Sequence, residues 1–238
     1  QTNLISGNFK DSGLGEVVQK VMFDSRYHMS DLAPYAPSNG YPAAFIAAPV
    51  MVQGELVIIL AMQLSMDGID AIMSERIGLG NTGETYLVGA DLLMRSNSFL
   101  DPVNHSVEGS FANPELGKVD TEAVQQAGLG NIGSQIVIDY NGNLVLSAYA
   151  PLALHDEVMW TILAEIDEAE AFAPIAALQT TMLIVAGVGV VLIIFLAFMF
   201  GAIISKPMLN LAHVMSKIEH TGDLSLRFKD PGKDETGQ

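Results

Sequence analysis

Residues 180–204, TTMLIVAGVGVVLIIFLAFMFGAII, run for 25 positions without a charged side chain, and the rest of the chain is arranged around how they are read. At about 1.5 Å per residue a helix of this length reaches roughly 37 Å, enough to cross a hydrocarbon core of about 30 Å with some tilt. Lipid offers no partner to backbone N–H and C=O groups, so the stretch predicts one continuous transmembrane helix. The competing reading is a buried helix in a large soluble core, and an uncharged apolar run of this length argues against it. Ala186, Gly187 and Gly189 would allow a second helix to come close, although glycine is common in spans generally.

The charges sort by side of this stretch. Before it stand 6 Lys and Arg against 22 Asp and Glu, which accounts for the whole net charge of −16; after residue 204 there are 5 of each. Lys206 follows the apolar run at once, with Lys217, Arg227, Lys229 and Lys233 behind it, while Glu165, Asp167, Glu168 and Glu170 occupy the other flank. Basic residues stay on the cytoplasmic side, so residues 205–238 are expected inside and residues 1–179 outside. An acidic outer region excludes nucleic acid as a partner, since that binding requires basic patches. There is no cysteine, hence no disulfide and no Cys-based metal or redox site. The chain opens on Gln1 with no apolar run near its start, which reads as a fragment whose export signal or earlier span is missing.

Residues 11–22, DSGLGEVVQKVM, predict a short helix capped by Ser12, with Leu14, Val17, Val18, Val21 and Met22 at helical spacing. The runs AAFIAAPVMV and ELVIILAMQLSM flank Gln53-Gly54 and predict an antiparallel hairpin. A second helix is expected after Met66, with Ile69, Ile72, Met73 and Ile77 on one face and Asp67 and Asp70 as solvated residues of its first turn. ETYLV and LLMRS then read as two strands joined at Gly89-Ala90-Asp91, and Asn141-Gly142 as the turn of another hairpin. The glycines at 78, 80 and 83 have the GxGxxG spacing. A dinucleotide fingerprint needs a strand before them and a helix after; here the order is reversed, so they read as a helix-to-strand turn, repeated at Gly128, Gly130 and Gly133.

A second repeat lies at an offset of 102 residues: Ala48-Pro49-Val50 matches Ala150-Pro151-Leu152, Glu55-Leu56 matches Glu157-Val158, and Gln63-Leu64 matches Glu165-Ile166. Two related modules in tandem are expected, the second complete, with strands near 84–88, 92–97, 135–140, 143–150 and 158–166, and the first represented by its C-terminal half.

The stretches PYAPSNGYPAAFIAAPV (34–50), TGETYLVGADLLMRS (82–96) and VLSAYAPL (145–152) resemble the double Cache (tandem PAS-like) sensor of bacterial methyl-accepting chemotaxis proteins, over about residues 3–172. The resemblance implies an α+β fold of antiparallel sheets, a small-molecule ligand such as an amino acid or organic acid, no cofactor, and a place in the bacterial inner membrane with residues 1–179 in the periplasm. It implies a sensor without fixing the output, since similar sensors also sit on histidine kinases and nucleotide cyclases. The boundaries expected on this reading are 1–77 for the half module, 78–172 for the whole one and 180–204 for the span. Residues 205–238 resemble the start of a HAMP linker: Pro207 after the membrane, Met208, Leu211, Met215 and Ile218 at heptad spacing, Gly222-Asp223-Leu224, and a D-E-x-G motif at 234–237 with Thr236 where the family often has Ile. That likeness implies a homodimer and cytoplasmic signalling partners.

No catalytic constellation emerges. His28, His105 and His155 lie in different segments without metal-ligand spacing, and no G-x-S-x-G elbow occurs. A non-enzymatic pocket needs only an apolar cavity with a few directed polar groups. Arg95 is one candidate, because a cation in an apolar strand needs a partner or a reason; the other reading turns it to water or pairs it with Asp91. Tyr86 and Tyr149 would line the same sheet face. Tyr35, Ser38, Asn39 and Tyr41 form a loop that either covers a ligand or merely turns the chain. Pro174 is expected to kink or break the helix ahead of the span.

Overall fold

The computed structural model describes residues 3–155 and 157–226, and the chain divides into two compact units, Gln1–Ala173 and Pro174–Gln238. In the first unit, helix α1 (Gly13–Asp24) starts as the sequence implies, with the Ser12 hydroxyl accepting from the Gly15 amide at 3.2 Å. Its apolar stripe buries Val17 and Val21 against Ala43, Phe45 and Ala47. Short strands β1 (His28–Met29), β2 (Ala33–Pro34) and β3 (Pro42–Ala43) lead to the hairpin of β4 (Phe45–Val52) and β5 (Glu55–Gln63). Gln53 and Gly54 both have positive φ, +52° and +88°, the twist-matched geometry that suits a two-residue hairpin turn. β1, β4 and β5 form a three-stranded sheet in that order, while β2 and β3 pair separately.

Helix α2 (Met66–Met73) ends sooner than the apolar spacing suggests. Ile77 lies beyond it and is 89% exposed, because the chain turns at Ser74 toward the glycines. Beyond them come β6 (Glu84–Gly89), three short helices α3 (Val107–Ala112), α4 (Pro114–Gly117) and α5 (Glu122–Gly128), and strands β7 (Gly133–Ile138), β8 (Leu144–His155) and β9 (Val158–Asp167), in a four-stranded antiparallel sheet ordered β6-β9-β8-β7. The strand expected near 92–97 shrinks to a single bridge, Val88 with Met94. Leu92 takes φ +69°, and the Leu87 amide is bonded to the Ser96 hydroxyl rather than to a backbone carbonyl, so no ladder propagates.

One face of this sheet packs Tyr86, Val88 and Leu163 against Ala123 and Val124 of α5. The other packs Leu87, Trp160 and Val158 against Met29, Leu32, Ala44 and Met73. Covered on both faces along β6 and β9, with Ile136 and Ile138 of β7 left exposed, the sheet shares its core with the region before it.

β9 passes into helix α6 (Glu168–Phe200) without an intervening residue. Pro174 lies inside α6 and does not break it; its missing donor would have faced the Glu170 carbonyl in the first turn, so a single bond is forgone. A π turn over Gly201–Ser205 separates α6 from α7 (Lys206–Thr221). Pro207 would clash with the carbonyl four residues back in a regular helix, and the wider turn just before it relieves that clash. Gly222 caps α7 in the left-handed conformation, φ +66°. The D-E-x-G motif at 234–237 lies outside the described residues.

Candidate ligand site

The loop expected to cover a ligand does border a cavity. A 3₁₀ turn over Ala36–Ser38 and a left-handed Asn39 fold the segment back on itself, with the Gly40 amide donating to the Tyr35 carbonyl at 3.0 Å. Ser38, Asn39 and Tyr41 thereby line one wall of a cleft of about 480 Å3, and Glu108, Phe111 and Ala112 of α3 line the other. Among the described residues, no Lys, Arg or His borders it. Burial pushes the Tyr41 hydroxyl above its ordinary value, and the charges of Glu108, Asp70 and Asp67 push it further. Tyr35 turns away from the cleft: its ring meets Phe45 edge-on at 4.9 Å and lies 6.4 Å from Phe9.

Arg95 is 1% exposed and bound up on every side. Its Nε and one terminal nitrogen donate to the two oxygens of Asp31 at 2.9 and 2.7 Å, a planar fork on a carboxylate. The same terminal nitrogen lies 2.9 Å from Asp91, and the other donates to the Leu93 carbonyl at 3.0 Å. The Trp160 indole also donates to Asp31, at 2.7 Å. Burial raises the Asp31 carboxyl, and the hydrogen bonds and charge of Arg95 together with the Trp160 bond more than reverse this, leaving it below its ordinary value. The pairing with Asp91 is the alternative weighed from sequence; Asp31, 64 residues away, had no local signal. Gly89 is required for space here, since a Cβ on it would lie 2.2 Å from the Arg95 guanidinium carbon. Phe111 lies 5.2 Å from that carbon, so one aromatic ring borders both the cleft and the ion cluster.

Tyr86 is fully buried and donates to Glu165 at 2.7 Å, edge-on to Tyr140. Both Tyr86 and Tyr149 pair with Leu163, from β6 and β8, and so stand in one row on one sheet face, part of the core and not of the cleft. Of the seven candidates, Ser38, Asn39 and Tyr41 share the cleft, while Tyr35, Tyr86, Arg95 and Tyr149 do not. Glu108 and Phe111, which complete it, carry no sequence signal that ties α3 to a loop about 70 residues earlier. A second, apolar cavity of about 460 Å3 lies among Met29, Leu64, Met73, Leu87, Leu152 and Trp160. His28 and His155 bring their rings within 5.5 Å, and His28 is held by Asp24 at 2.9 Å.

No protein-family model matches the chain. The methyl-accepting chemotaxis protein PctB of Pseudomonas aeruginosa is 24% identical over 195 residues, 81% of this chain and 28% of that protein's length. Among solved structures, the periplasmic sensory domain of the Campylobacter jejuni chemoreceptor Tlp1 aligns with a TM-score of 0.48 at 16% identity, over 67% of this chain and 57% of that one. The ligand-binding domain of PctB from Pseudomonas aeruginosa, in complex with L-Gln, aligns with a TM-score of 0.46 at 16% identity, over 78% and 68%. What the stretches at 34–50, 82–96 and 145–152 lead one to expect is what the sequence comparison returns: a chain similar over most of its length to a methyl-accepting chemotaxis protein, with one long apolar helix behind its antiparallel sheets.

Proposed function

We propose that this chain is the sensing and transmitting part of a non-enzymatic transmembrane chemoreceptor. The observation that carries the reading is the junction at Asp167 and Glu168, where strand β9, central in its sheet, becomes a 33-residue helix with no linker between them. A helix transmits displacement or rotation, and a flexible linker would dissipate it. In this reading residues 1–77 are the C-terminal half of a membrane-distal module, 78–172 a membrane-proximal one, 180–204 cross the inner membrane, and 205–238 begin a HAMP linker in the cytoplasm. The relative of that description and the charge asymmetry across the span support it. Met208, Leu211 and Met215 on α7 are exposed, and a second copy of the chain would cover them in a parallel bundle.

The ligand is a small amino acid in the cleft of Ser38, Asn39, Tyr41, Glu108 and Phe111. An acidic group without a basic neighbour favours an ammonium over a bare organic acid, and Ser38 and Asn39 supply the directed polar groups such a site needs. The test is calorimetric titration of the chain in lipid nanodiscs with the common amino acids and, separately, with dicarboxylic acids. One amino acid should saturate, and Tyr41→Ala or Glu108→Gln should weaken it about tenfold, equal to ~1.4 kcal/mol. Binding only by dicarboxylates, or binding indifferent to both substitutions, would refute the assignment.

A further inference from the structure

The glycine-rich turn that resembles a phosphate loop in spacing does hold an anion, and the anion belongs to the chain itself. Glu170, in the first turn of α6, places Oε1 on the amide of Asn81 at 2.8 Å and on its side-chain nitrogen at 3.1 Å. Its Oε2 accepts from the Thr82 amide at 2.9 Å and from the Thr82 hydroxyl at 2.7 Å. Successive amides converging on one carboxylate form the concave anion seat that turns of this kind provide. Thr82 is used twice, since its hydroxyl also accepts from the Asp167 amide at 3.1 Å, at the last residue of β9. Gly80 has φ +71°, and a Cβ there would lie 2.4 Å from Glu170 Oε1, so the seat requires a glycine for both conformation and room.

The same turn is gripped from its other side. Arg76, just past α2, donates from Nε to the Gly83 carbonyl at 2.9 Å and from a terminal nitrogen to the Asn81 carbonyl at 2.7 Å, and its guanidinium lies 3.5 Å from the centre of the Phe99 ring. The turn's carbonyls are thus tied to the segment arriving from the first sheet, and its amides to the helix leaving the second. Among the described residues, these bonds of Glu170 are the side-chain hydrogen bonds that join the first turn of α6 to residues outside β9.

We infer that Glu170 is a latch: a positioning residue through which the Gly80–Gly83 turn sets the start of the outgoing helix, and whose release frees the helix's first turn from that loop while its continuity with β9 remains. This rests on the transmission reading above for its purpose, while the contact can be tested without a ligand. The experiment is hydrogen–deuterium exchange on the full chain in nanodiscs, comparing wild type with Glu170→Gln and with Gly80→Ala, which leaves the carboxylate intact but removes its room. Both substitutions should speed exchange about tenfold in residues 79–83 and 168–173 while 158–165 of β9 keep their protection. Unchanged exchange at 168–173 in both variants would overturn the inference. So would loss of protection across β9 as well, because Glu170 would then support the whole sheet and not the helix alone. A cleft that binds no amino acid would refute the ligand assignment and leave this result standing.

Discussion

Away from their turns, over 45–50 and 147–152, the β4–β5 and β8–β9 hairpins have the same register, and their surroundings are opposite. Phe45 faces Gln63 and Pro49 faces Ile59 in the first; at the 102-residue offset, Ser147 faces Glu165 and Pro151 faces Thr161 in the second. β9 carries β6 along its outer edge, and Leu163 beside it is fully buried. β5 has no strand on its outer edge among the described residues, and Ile58, Leu60 and Met62 stand 59%, 59% and 58% exposed. Register is a local property, set by the turn and by the alternation of side chains. Burial is set by whatever lies alongside, so the same hairpin is a core element in one place and an open apolar face in the other.

The largest way to break this comparison is to cut what joins the two regions. Arg95→Ala leaves Asp31 and Asp91 without their cation; loss of one partner from a buried pair typically costs about 3–5 kcal/mol, and since the two carboxylates keep side-chain exposures of 33% and 44% the lower end of that range applies. Urea unfolding of the full chain in detergent should read that loss, and a cost under about 1 kcal/mol would mean the cluster ties nothing together. Next in size, Leu163→Ala opens a cavity between Tyr86 and Tyr149 and should cost about 3 kcal/mol in the same assay.

Two carboxylates, the half-buried Asp31 and the buried Glu165, sharpen the comparison through pH. Asp31 is held below its ordinary 3.8, so its stabilisation is complete above that value and is lost as pH falls through its lower folded value. Glu165 is pushed above 4.5 by burial first, with Asp139 and Glu84 adding to it against the Tyr86 hydrogen bond. Its folded state keeps the proton to a higher pH than the unfolded chain does, so the stability it lends is complete below 4.5 and is lost as pH rises through its higher folded value. Asp31→Asn should therefore flatten the acid limb of stability against pH, and Glu165→Gln the limb above pH 4.5; the same change in both limbs from either variant would contradict the assignment. The smallest effect belongs to the open face, where Leu60→Ala should stay within about 0.5 kcal/mol.

What could be read from the residues was mostly what is local. Gln53-Gly54, Asn141-Gly142 and the Ser12 cap sit where expected because turn and cap chemistry act over a few positions, and the 102-residue repeat carried the register with it. The strand near 92–97 was misread because its apolar run masks a left-handed Leu92 and a side-chain acceptor at Ser96, neither of which alters periodicity. Arg95 could be singled out, but its partner Asp31, and Trp160 that donates to Asp31, could not, since they arrive from opposite ends of the outer region. The cleft was half legible for the same reason: the turn-rich loop announces itself, and α3 does not.

Trp160, introduced above as a donor to Asp31, is the one tryptophan in the chain. It is 1% exposed, borders the apolar cavity, and touches the carboxylate that holds Arg95. All the indole emission of this chain therefore originates where its three-stranded and four-stranded sheets meet. The chain carries a built-in optical reporter of that junction, and no label is needed to watch it open.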